Sequence, residues 1–137
     1  IVLFLAIFIF QIKIGAAILL LPVVLVLLLG ITIGLGLILS SLNVIYRDVS
    51  HFVEIIFMAW FYLTPVVYSL DLIPERFRSI ILLNPMALVV ESIRSVVLYN
   101  KIPEPRYFLG MIAYGVILIF IGSKVFRSIE KGFAETI

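Results

Sequence analysis

The chain has 137 residues, of which 64% are hydrophobic and 13% charged, with a net charge of +2 and no cysteine. Soluble domains carry about 25% charged residues, so this chain has too few polar side chains to cover a soluble surface. A disulfide framework and a thiolate metal site are also excluded, and the scattered basic residues point to no nucleic-acid partner.

Long uninterrupted apolar runs, rather than alternating ones, imply membrane helices and not a barrel. Residues 1–12 begin inside such a run, with neither the basic start nor the cleavage site of a signal peptide. They read as part of a helix, in a chain that is the C-terminal part of a longer protein. Lys13 and Arg47 then enclose 33 residues without a charge. At about 1.5 Å per residue this exceeds the hydrocarbon thickness of about 30 Å. Gly15 and Pro22 mark its start, and a span is predicted over 21–45. Gly30 and Gly34 form a GxxxG pair inside it, with Gly36 close by, a spacing that lets helix backbones approach closely.

The stretch NVIYRDVSH (43–51) is a tight connection between two spans. Arg47 and Asp48 would be costly in lipid but are wetted at a turn. Asp48 is also placed to cap the next helix, and Tyr46 suits the interface. A second span is predicted over 50–68, with Pro65 kinking or ending it. His51 and Glu54 stand one helical turn apart there, too few groups for a metal site. Glu54 lies close enough to the turn to reach the interface.

Four prolines punctuate 71–106: Pro74, Pro85, Pro103 and Pro105. Two short helices fit between them, 74–83 and 85–99. Asn84 is the natural N-cap of the second and Pro85 its first helical residue. Met86, Val89, Val90, Ile93, Val96 and Val97 form an apolar stripe, with Glu91, Ser92, Arg94 and Ser95 opposite. Such a helix is too short to span; it lies in the interface or forms part of a re-entrant pair. A last span is predicted over 107–126, followed by a short charged tail, 127–137.

The series LNVIYRDV, WFYLTPVVYSLDLIPE and LLNPMALVVESIRSVVL resembles the permease subunits of type-2 ABC transporters, over residues 21–137. The nearest branch exports polysaccharides or polyol phosphates, such as O-antigen, capsule or teichoic acid precursors. The resemblance implies an all-α integral membrane fold: about three full spans plus part of a fourth, with two gate-like helices before the last span. It implies a multi-pass protein of the bacterial inner membrane, with the turn and tail in the cytoplasm. Charge counting leans the other way, with four basic residues on the turn side (Arg47, Lys124, Arg127, Lys131) against six on the other. Re-entrant loops often break that rule, so the cytoplasmic turn is retained.

The same resemblance implies a partner ABC ATPase, a second permease copy and a lipid-linked glycan as substrate. No cofactor is expected in this chain, because ATP and Mg would be bound by the partner. Trp60, Phe61, Tyr62 and Tyr68 would suit a conduit wall on which sugars stack, and equally an aromatic interface belt. Tyr46, Arg47 and Asp48 are the candidates for communication with the ATPase, and Glu91 and Arg94 for the gate helices. A related permease for drugs or small lipids, a membrane-embedded glycan-processing enzyme and a purely structural subunit are the competing readings. The enzyme would need acid or His clusters at helix ends, and only Asp71, Glu75 and Glu91 come near.

Overall fold

A computed structural model describes residues 15–46 and 48–134. The helix predicted over 1–12 and the side chain of Arg47 lie outside the described residues. The described residues are helical, without strands. A 3₁₀ turn, Ala16–Leu20, leads into α1 (Leu21–Ile45), and then come α2 (Val49–Leu63), α3 (Glu75–Ile81), α4 (Pro85–Val97) and α5 (Pro105–Ala134).

The framework is the pair α1–α5, the most extensive helix contact. It is built on missing side chains. A Cβ on Gly34 would fall 2.5 Å from Leu118 Cβ and 2.7 Å from the Ile119 backbone nitrogen, and one on Gly122 would fall 2.8 Å from the Gly34 carbonyl oxygen. Glycine is therefore required where the two backbones touch. Gly30 faces Gly115 one turn earlier. Residue numbers rise together along the seam, so α1 and α5 run parallel, and the end of α1 lies on the same side as the end of α5. The three intervening segments must carry the chain back.

α4 fills the angle between the first halves of these two helices. Leu88 and Val89 pack with Val24, Ile31, Tyr107 and Met111, while Val96 and Val97 meet Ile18, Leu20 and Leu21. The C-terminal end of α4 thus lies beside the start of α1, and its N-terminal end lies deeper. α3 and α4 meet at 108° across a short break, the geometry of a chain that enters and turns back.

Several expectations are corrected. The span predicted over 50–68 is a helix only as far as Leu63, roughly 22 Å long. Thr64 is extended (φ −91°, ψ 132°) because the ring of Pro65 disfavours helical geometry in the residue before it. The tail predicted from 127 continues as helix to Ala134. No Pro or Gly interrupts it before Gly132, and Arg127, Glu130 and Lys131 are good helix formers. On the polar side of α4, Ser92 is fully buried and its hydroxyl has no partner among the described residues. Asp48 occupies the N-cap position of α2 in helical geometry, and its side chain makes no capping bond, because a cap needs the extended conformation that aims the side chain at the free N–H groups.

Candidate functional site

The deep end of α4 is organised by Asn84. Its Oδ1 accepts the Met86 N–H (3.0 Å), capping α4, and also the indole N–H of Trp60 (2.6 Å). Its Nδ2 donates to Thr64 Oγ1 (2.9 Å), and that hydroxyl donates to the Trp60 carbonyl (2.8 Å). Pro85 supplies the fixed φ and the missing N–H that let a helix begin here. One amide therefore closes a ring of polar groups joining the last turn of α2 to the first turn of α4. Near by, the Tyr114 hydroxyl of α5 donates to the Leu83 carbonyl.

A second tie lies higher on α4. Arg94 pairs with Glu91, and both side chains are only 13% exposed. The same guanidinium donates to the carbonyls of Pro65 (2.7 Å) and Tyr68 (3.2 Å). Arginine suits this place because its planar fork can serve a carboxylate and two carbonyls at once. Glu91 and Arg94 clamp the strap 65–68 against α4.

Between these ties and α1 is a cavity of about 470 Å³, bounded by Leu35, Gly36 and Leu39 of α1, Phe57 and Trp60 of α2, and Met86 of α4, among others. Its threonine hydroxyls are engaged: Thr32 donates to the Leu28 carbonyl, and Thr64 belongs to the ring above. The surface offered inward is apolar and aromatic. α2, which forms one wall, buries none of its residues and touches α1 only lightly. It is held at its two ends, by the turn at 46–48 and by the polar ring.

The four candidate aromatics are divided by this geometry. Trp60 and Phe61 line the cavity. Tyr62 projects away from it, 62% exposed, with its ring edge-on to Phe61. Tyr68 lies on the strap, where its hydroxyl donates to the Tyr62 carbonyl (3.3 Å). Tyr46 and Asp48 are both exposed at the turn. His51 and Glu54 are exposed on the first turns of α2, and no group of acidic and His side chains among the described residues could hold a metal. Asn84 and Thr64 are site residues that the sequence does not mark as such. The Asn-Pro pair was legible as a helix start, but nothing local reveals that the same amide meets an indole 24 positions earlier.

Comparison with known proteins adds an independent finding. Residues 1–98 match the model of the family described as ABC-2 type transporter. The chain is similar to the O-antigen export system permease protein RfbA of Myxococcus xanthus, 36% identical over 118 residues, covering 85% of this chain and 45% of that protein. A Klebsiella pneumoniae protein of the same name is 36% identical over 104 residues, 76% of this chain and 40% of its own. The polysialic acid transport protein KpsM of Escherichia coli is 25% identical over 105 residues, 77% and 41%. The chain spans less than half the length of these relatives.

Proposed function

The chain belongs to the ABC-2 type transporter family, and from that premise we propose that it is part of the permease of an ATP-driven exporter that moves a lipid-linked polysaccharide or polyol phosphate polymer out across the bacterial inner membrane. Two copies form the conduit, and a separate ABC ATPase binds ATP and Mg and supplies the energy. The permease moves its substrate without reacting it. O-antigen and polysialic acid are the cargoes in the names of the relatives, and both are glycans.

The observation that carries the reading is the α3–α4 pair, folded back at 108° and tied by Asn84 and Arg94 to the end of α2. Irregular backbone inside a span is tolerated where protein or a cavity surrounds it, and it belongs at a pathway rather than in a passive anchor. Trp60 and Phe61 are the rings of this wall for a passing sugar to stack on. Tyr46, Arg47 and Asp48, in the cytoplasmic connection, serve communication with the ATPase.

Copurification from the native cell is the test. A P-loop ATPase recovered in equal amount with the full-length permease is the expected result. A permease recovered alone, or with partners that bind no nucleotide, would remove the energy source and overturn the reading. One observation favours a second cargo class: the apolar lining of the 470 Å³ cavity suits drugs or small lipids. Loss of surface glycan on deletion of the gene separates the two, because an exporter of small apolar molecules leaves that glycan in place.

A further inference from the structure

α5 spends one face on its neighbours. Gly115, Leu118 and Gly122 meet α1, and Tyr114 reaches Leu83. Among the described residues, another face is largely exposed. Val116, Ile119, Phe120, Ser123, Lys124 and Arg127 line a groove of about 540 Å³ along it. Their spacing places them on one stripe, roughly a third of a turn round from the α1 seam.

The stripe changes character along its length. Val116, Ile119 and Phe120 are large, apolar and exposed, at 63%, 37% and 59%. Ser123 follows, and then two cations. The ammonium of Lys124 lies 4.5 Å from the Phe120 ring centroid, so its stem runs back over the apolar part. The ion pairs among the described residues are Glu91–Arg94 and Glu104–Arg106, so neither Lys124 nor Arg127 has an acidic partner there. Both lie in the last turns of the apolar stretch Pro105–Glu130, the depth at which basic side chains meet lipid phosphates.

We propose that this stripe binds one anionic phospholipid. An acyl chain lies along Val116, Ile119 and Phe120. The phosphate sits between Lys124 and Arg127, within reach of the Ser123 hydroxyl. Charge complementarity selects the occupant, because a zwitterionic lipid brings an ammonium group that opposes one of the two cations, whereas phosphatidylglycerol brings only negative charge. The assignment rests on the chain being a membrane permease, as the family reading has it, but not on its cargo or on ATP.

The test is lipid binding to the full-length permease by native mass spectrometry, with phosphatidylglycerol and phosphatidylcholine titrated separately. The wild type is expected to prefer phosphatidylglycerol. The double variant Lys124→Gln, Arg127→Gln is expected to bind it roughly thirtyfold more weakly, with phosphatidylcholine binding and thermal midpoint unchanged. Phe120→Ala should weaken both lipids. Equal binding of the two lipids by the wild type, or undiminished phosphatidylglycerol binding by the double variant, overturns the proposal. Displacement of the lipid by millimolar glycerol 3-phosphate would also overturn it, since the site would then take a free phosphate. So would a double variant that keeps the lipid but loses a copurifying subunit, which would make the stripe a protein-docking surface. A permease that prefers phosphatidylglycerol yet exports nothing keeps this assignment and loses the proposed function.

Discussion

Replacing Asn84 with Ala removes a helix cap, the acceptor for the Trp60 indole and the donor to Thr64 in one step. A lost cap costs about 1 kcal/mol, and each buried group left unpaired about 1–3 kcal/mol. Asn84→Ala should therefore destabilise the protein by about 2–4 kcal/mol, read as a lower thermal midpoint in detergent. Arg94 offers a sharper comparison. Arg94→Ala strands the largely buried Glu91 and two carbonyls, whereas Arg94→Lys keeps the charge but loses the fork. A cost of about 3–5 kcal/mol is expected for Ala, with Lys clearly milder; equal midpoints for the two variants would show that the retained charge contributes nothing and that the fork carries the whole effect. These residues were partly legible. Asn84 before Pro85 announced a helix start, and Glu91 with Arg94 stood out as charges in an apolar context. Their partners were not legible, because they come from α2 and its strap, and only the end of α2 at Pro65 brings those groups within reach.

The α1–α5 seam makes a prediction at the scale of elements. Gly34 sits against the Leu118 side chain and the Ile119 backbone, while a Cβ on Gly36 would meet nothing within 4 Å. Gly34→Ala should cost about 1–3 kcal/mol by overpacking. Gly36→Ala should be neutral, or stabilise by up to about 1 kcal/mol by helix propensity. Thermal midpoints of the two variants check this directly, and similar losses at both positions would contradict the seam. The GxxxG spacing drew attention to Gly30 and Gly34, but the pattern does not say which partner helix it meets or that Gly36 faces a cavity. α2 shows the opposite limit. An apolar run of 22 residues between Asp48 and Asp71 reads as one span, yet a single proline divides it into a 15-residue helix and a strap. Hydropathy measures what lipid tolerates, and extended backbone is tolerated when Arg94 satisfies its carbonyls.

At the scale of the whole molecule the parallel run of α1 and α5 fixes relative sidedness. The turn at 46–48 and the far end of α5 share a side, and Tyr99 and Lys101 lie at the other. Charge counting could not settle this, because it assigns the basic residues of the re-entrant segment to a loop, although Arg94 is spent inside the fold. The chain contains no cysteine, so single cysteines placed in it report cleanly once any cysteine elsewhere in the full-length protein is replaced. His51→Cys and Ser128→Cys should both resist a membrane-impermeant thiol reagent added to intact cells, and Tyr99→Cys should react. Reaction at His51 and Ser128 from opposite sides would break the parallel pair. Export is tested most directly in inside-out vesicles carrying the full-length permease and its ATPase, loaded on the outer face with the lipid-linked glycan. The glycan should become protected from an added glycosidase only when ATP is hydrolysed. Protection without ATP, or none while ATP is consumed, would contradict it.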